Sequence, residues 1–293
     1  MKARRSIPLA LLLACACEVT AQDELPQPDE ILQSVQEWVR DNLDGQALDE
    51  LGVDKDRVQQ FLTEVQRQFQ GTYVYDLGAL RGTATQLLPV LRQFDETRPY
   101  AVWLETHLDY FDVARELRRE AKAAPEKSLP SPLPNPSPQL ERSVWIRELK
   151  HRSPPAQAER HAARLKDIFA AEKLPPELIW VAEVEYSFDP TARSLNLSIS
   201  LPDERLQPEK SARAAAKYLR RLYGRFGDWR LALAAYNAGE TRVENLLRQE
   251  KGRTFDAIAA RLPAETQMFV PKVEATLRKR EGLTLAELKM PNG

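Results

Sequence analysis

Apolar residues recur at three- and four-residue spacing along most of this chain, and no segment shows sustained strand alternation. Ile31, Leu32, Val35, Trp38 and Val39 form one helical stripe, and Val58, Phe61, Leu62, Val65 and Phe69 form a second. Leu87, Leu88, Leu91 and Phe94 form a third, and Val102, Leu104, Leu108 and Phe111 belong to a fourth. Six prolines between 125 and 138 then forbid helix and favour an extended spacer. Helical periodicity returns beyond it. Ser153 is a candidate cap ahead of Leu165, Ile168 and Phe169, and Pro175-Pro176 restarts the chain into a helix over 177–188. Pro208 opens a helix whose stripe is Ala212, Ala215, Leu219, Leu222 and Phe226. Asp228 caps the next helix and Gly239 stops it, Thr241 with Glu244 reads as a capping box, and a last helix over 264–280 should kink at Pro271. The pattern predicts an all-α protein with a helical domain at 28–123, a Pro-rich linker at 124–139 and a second helical domain at 140–290.

Charge and cysteine usage narrow the setting. The formal net charge of the 293 residues is −1, which excludes a strongly basic nucleic-acid binder. Lys2, Arg4 and Arg5 precede an apolar run from Ile7 to Cys17, the pattern of a secretory signal and too short to span a bilayer. Removal of residues 1–21 would take the net charge from −1 to −3. Cys15 and Cys17 both lie in this segment, so the remainder has no disulfide framework. Leu12-Leu13-Ala14-Cys15 resembles a lipoprotein cleavage box, which makes Cys15 a candidate lipidation site and a lipid anchor to the outer membrane an alternative to simple secretion. The three histidines lack the spacing of a helical zinc site, and no metal, nucleotide or flavin motif appears, so no cofactor is expected.

Two segments carry chemistry. In LPPELIWVAEVEYSFDP, from Leu174 to Pro190, Glu185 has Leu178, Val181, Ala182 and Phe188 as helical neighbours. A carboxyl on such a face is desolvated, which raises its pKa and suits a general acid; the alternative is a structural carboxyl paired with a neighbouring helix. In DWRLALAAYNAGETRV, over 228–243, small residues allow close helix approach while Tyr236 and Asn237 place polar tips at a helix end. That arrangement suits a sugar ligand, or equally a tightly packed helix end with a capping Asn.

Together with ERLQPEKSARAAAKYLRRLYGRFGDWRLALAAYNAGETRV and LPAETQMFVPKVEA, these segments resemble the bacterial lytic transglycosylases. The resemblance is to the soluble-lytic-transglycosylase domain of the murein transglycosylase D kind and covers roughly 143–281. It implies a lysozyme-like helical fold acting on peptidoglycan glycan strands, at the bond between N-acetylmuramic acid and N-acetylglucosamine, with a 1,6-anhydro product. On this resemblance Glu185 matches the single catalytic Glu, Tyr236 and Asn237 match the cleft Tyr-Asn, and Glu265 matches the cleft Glu of the family's ETxxYV block. Phe269 stands where that block usually has Tyr, so a hydroxyl is lost.

The sequence departs from the family pattern in two further places. Tyr186 separates Glu185 from Ser187, where the family usually has Ser directly after the Glu. The family's Gly-rich cleft segment ending in a Gln is absent: no Gly lies between Phe188 and Gly224, and no Gln before Gln207. Losing that wall removes contacts that orient a sugar. Three function classes therefore remain: an exported lytic transglycosylase, a glycan-binding or scaffold relative that kept the fold, and a helical adaptor working through 28–123.

Overall fold

The computed structural model describes residues 55–93, 98–123, 133–186 and 208–290. The segments 1–54, 124–132 and 187–207, with the stripe at 31–39, Phe94, Cys15 and the export signal, lie outside the described residues. Among the described residues the protein is all-α. Its α-helices are α1 Lys55–Gln70, α2 Arg81–Leu91, α3 Arg98–Ala123, α4 Pro138–Leu149, α5 Ala156–Ala171, α6 Val181–Tyr186, α7 Pro208–Phe226, α8 Trp229–Ala238, α9 Glu240–Gln249, α10 Phe255–Ile258 and α11 Ala264–Glu281.

The predicted stripes become two apolar clusters. Val58, Phe61, Leu62, Val65 and Phe69 of α1 meet Leu104, Phe111 and Leu117 of α3 in the first, which is closed by Val144, Trp145 and Leu149 of α4. The second gathers Leu165, Ile168 and Phe169 of α5, Ala212, Ala216, Leu219 and Leu222 of α7, and the small-residue face of α8. Ala232, Ala234 and Ala235 are wholly buried there, and lacking bulk they let α8 pack closely against its neighbours. Both clusters share α11. Ala264, Met268 and Ala275 enter the first, and Phe269, Val270, Val273 and Leu277 the second.

Every residue of α11 from Ala264 to Leu277 is buried, including six polar ones. Buried polar groups need partners, and α11 finds them on distant segments. The Ala264 N–H donates to the Gly71 carbonyl at 2.6 Å. The Gln267 amide donates to the Thr72 and Leu262 carbonyls at 2.7 and 2.8 Å. The Lys272 ammonium lies 2.9 Å from Asp109 and stands over the Tyr110 and Trp145 rings at 4.5 and 5.1 Å. Asp109 also accepts from Arg152 at 2.6 Å. Glu274 accepts from Arg230 at 2.9 Å.

Several local expectations are corrected. Ser153 does not cap α5, which starts at Ala156 behind Pro155 with no side-chain cap. The run after Pro175 is not one α-helix: Pro176–Trp180 is a 3-10 helix that hands over to α6. Thr241 and Glu244 make no capping box, because α9 begins at Glu240 directly behind Gly239. Gly239 has φ of 87°, a value open to glycine and strained for other residues, and this lets α8 turn straight into α9. A capping box forms instead between Thr284 and Glu287. Helix α4 begins at Pro138, inside the stretch read as linker, with Ser137 as its N-cap. Just ahead of it Asn135 accepts from the Val74 N–H at 3.1 Å, which ties that stretch to the first cluster. Asp228 caps α8 as expected, accepting from the Leu231 N–H at 2.9 Å, and α11 continues through Pro271 to Glu281.

Candidate active site

Helix α6 carries two carboxylates on different faces, since two residues advance a helix by about 200°. Glu183 points into the protein and is buried against Arg280, which donates to its two oxygens at 2.9 and 2.6 Å. This bidentate pair is structural: it clamps α6 to the last helix. Glu185 is only partly buried and faces a small pocket. Leu165 and Phe169 of α5, Val181 and Ala182 of α6, and Ala215 and Leu219 of α7 supply apolar lining there. Tyr236 of α8 also lines it, and its hydroxyl donates to Glu185 Oε2 at 3.3 Å.

The chain reaches this arrangement through a tight turn after α5. Lys173 adopts φ of 60°, and the Leu174 N–H donates to the Phe169 carbonyl at 2.9 Å, which closes the helix end. Leu174 is thereby fully buried, and the Pro176–Trp180 turn follows and delivers α6.

The other expected site residues, Asn237, Glu265 and Phe269, are not among those that line this pocket. Asn237 follows Tyr236, and its side-chain oxygen accepts from the Thr266 hydroxyl at 2.6 Å. Next to Thr266, Glu265 is buried and lies 3.8 Å from His107 Nε2 of α3. Phe269 is different. It is 2% exposed and packs in the second cluster, which leaves a ligand almost nothing to touch. Tyr110 of α3 joins the two carboxylate regions electrostatically: burial first, then the nearby Glu265, Asp109, Glu185 and Glu141 charges, hold its hydroxyl well above the ordinary tyrosine range. Burial, reinforced by the Lys272 charge, pushes His107 down to about 4, so its ring is neutral at pH 7.

Sequence reasoning missed three residues here. Thr266 was readable as the hydroxyl beside Glu265. His107 sits within the stripe of Leu104, Leu108 and Phe111, where a lone histidine carries no pattern of its own. Glu240, the acid of AAYNAGE, is buried and held by Arg221 and Arg225 at 2.6 Å each, so it ties α9 to α7. Among the described residues no group of His, Cys, Asp or Glu side chains is arranged to hold a metal ion. Among them, too, no helix is long and apolar enough to cross a membrane.

Comparison with known proteins bears on the same helices. Residues 189–259 match the family described as the transglycosylase SLT domain. Over that stretch the chain is similar to the SLT domain. Its matched stretch contains α7 to α10 with Tyr236 and Asn237, and it starts four residues after Glu185. The SLT fold is helical and lysozyme-like, in line with the all-α expectation. The chain is also similar to two proteins named membrane-bound lytic murein transglycosylase D, from Escherichia coli strain K12 and from Escherichia coli O6:H1 strain CFT073. Each is 34% identical over 123 residues, which is 35% of this chain and 27% of the relative. The chain thus spans about a quarter of the length of the curated relatives it matches. No solved structure matches it.

Proposed function

We propose that the protein is an exported peptidoglycan lytic transglycosylase that cleaves the bond between N-acetylmuramic acid and N-acetylglucosamine, with Glu185 as its single acid and base. The observation that carries this reading is the meeting of Glu185 and Tyr236, 51 residues apart, at an apolar pocket beside the SLT match. Apolar walls keep water from a carboxyl and suit it to deliver a proton. Glu185 protonates the glycosidic oxygen as the bond from the anomeric carbon breaks. The carboxylate then takes the proton of the muramyl 6-hydroxyl, whose oxygen bonds to the anomeric carbon. The product is a 1,6-anhydro ring, Glu185 ends protonated as it began, and no water is consumed. The scheme uses one carboxylate where ordinary glycosidases use two. Tyr236 steadies Glu185, while Asn237 and Glu265 offer acceptors to sugar hydroxyl and amide groups. Export follows from the signal at 1–21, and Cys15 offers a lipid anchor in the envelope.

A second reading is favoured by the sequence after Phe188, which has no Gly before Gly224 and no Gln before Gln207. A cleft without that wall suits a glycan-binding relative that no longer cleaves. The deciding experiment incubates the protein, and its Glu185→Gln variant, with isolated peptidoglycan sacculi and reads released muropeptides by mass spectrometry. Anhydro-ended products from the parent alone support the enzyme. Sacculus binding by both proteins with no products supports the binder.

A further inference from the structure

Glu185 sits on a helix too short to hold its own place. Helix α6 has six residues, fewer than two turns, and so short a piece takes its position from what it packs against. Val181 and Val184 anchor it in the second cluster, but apolar contact is non-directional and does not by itself fix rotation about the helix axis. The directional tie is Glu183. Arg280 of α11 donates to its Oε2 from Nε at 2.9 Å and to its Oε1 from Nη2 at 2.6 Å. The remaining nitrogen, Nη1, donates to the Arg152 carbonyl at 3.2 Å, so the whole guanidinium is engaged. Its central carbon stands 5.8 Å from the centre of the Trp180 ring, at the entry to α6, and the Trp180 indole N–H donates to Glu281, the residue after Arg280, at 2.5 Å. The Arg280 and Glu183 side chains are 6% and 7% exposed, which closes the pair to a ligand.

We propose that Arg280 is a positioning residue for Glu185: its two-pronged grip on Glu183 fixes the rotation of α6, and with it the direction in which Glu185 meets Tyr236. This rests on the reading of Glu185 as the acid. The two carboxylates of α6 are about 200° apart around the axis, so any turn of the helix that moves one swings the other. A single hydrogen bond permits such a turn, whereas a planar fork on both oxygens resists it. The hydrogen bond from Tyr236 to Glu185 is already long at 3.3 Å, so a small rotation breaks it. Arg280 lies beyond the end of the SLT match at 259, so the setting of the acid depends on a residue outside the matched stretch.

Charge and fork can be tested separately. Arg280→Lys keeps the buried charge and gives up the fork. Well below its melting temperature, kcat on sacculi should fall about tenfold or more, since misplacing a reacting group by about 1 Å can cost about a hundredfold. KM should stay within about twofold, because the pair is out of a ligand's reach. The double variant Glu183→Leu with Arg280→Met removes both charges, and apolar replacement of a buried pair is often neutral for stability. Its melting temperature should lie close to the parent's while kcat stays low. A clamp that serves stability alone predicts parental kcat in every folded variant, and parental kcat in either of these would overturn the positioning role. The second measurement does not depend on turnover. In the full chain with carbon-13 at its glutamate carboxyls, the Glu185 resonance, identified by its loss in Glu185→Gln, should move in Tyr236→Phe. In the Arg280→Lys background the same Tyr236→Phe change should leave it unmoved, because the bond is already broken there. An equal response in both backgrounds overturns the positioning role whatever the activity. A parent that leaves sacculi uncut, with the two backgrounds differing as expected, overturns instead the reading of Glu185 as the acid, and the hold of Arg280 on α6 stands.

Discussion

Lys272 offers the sharpest test of the packing around α11. Its side chain and that of Asp109 are each 4% exposed, and the ammonium contacts Asp109 at 2.9 Å and the Thr106 carbonyl at 3.3 Å. Lys272→Met keeps the length and the aromatic contacts, since a thioether also packs well on rings. What it removes is the buried countercharge of Asp109, which keeps only Arg152, a residue whose side chain is 43% exposed. Breaking a buried pair from one side costs about 3–5 kcal/mol. With Arg152 still in place, the lower end, about 3 kcal/mol, is expected. At about 2–4 °C per kcal/mol for a domain of this size, the melting temperature should fall by about 6–12 °C. The double variant Lys272→Met with Asp109→Leu removes both charges and should return to within about 1 kcal/mol of the parent. Urea melts of the full chain followed by circular dichroism measure all three proteins. A loss below about 1 kcal/mol in Lys272→Met would refute the reasoning, as would a double variant no more stable than the single one.

Two further outcomes are expected. Glu141 of α4 is buried, and burial pushes its carboxyl well above the ordinary 4.5, so the folded protein holds it protonated while the unfolded chain ionises it from about pH 4.5 upward. The stability it contributes below that pH is lost as pH rises toward the raised folded value; Glu141→Gln should therefore gain on the parent in melting temperature as pH rises above 4.5, and a difference constant with pH would count against this. Tyr236→Phe deletes the hydroxyl bonded to Glu185 at 3.3 Å; muropeptide release should drop about tenfold, in keeping with about 1.4 kcal/mol for one side-chain hydrogen bond, with the fold intact. An unchanged rate would show that this bond does not hold Glu185 in place.

The stripes of α1, α3, α5 and α7 were legible because each helix buries one face, and a one-sided helix writes its geometry as a period. Helix α11 wrote no such stripe. It is enclosed on all sides, and its polar residues are matched by partners such as Thr72, Asp109 and Asn237, which no local window contains. The misplaced caps have a related cause. Thr241 and Glu244 have the right spacing, but the positive φ of Gly239 starts α9 one residue before Thr241. At the site, apolar helical neighbours singled out Glu185 and a small-residue helix end singled out Tyr236 and Asn237, Glu265 came through motif resemblance alone, and no local pattern could have joined residues 51 positions apart. Phe269 followed the motif into the list of cleft residues, and packing puts it in the core.

The ties between α11 and the start of the protein also impose an order in time. The amide of Gln267 closes on the carbonyl of Thr72 across 195 positions, and Lys272 closes on Asp109 across 163. At about 5–20 residues added per second, the later partners emerge about 10–40 s after the earlier ones. Through that interval Asp109 and His107 wait without the helix that completes their surroundings. Contacts of such high sequence separation form late and slow folding. The contacts of α11 are therefore made last, and a nascent chain stalled before α11 would hold Glu185 and Tyr236 without the helix that both apolar clusters share.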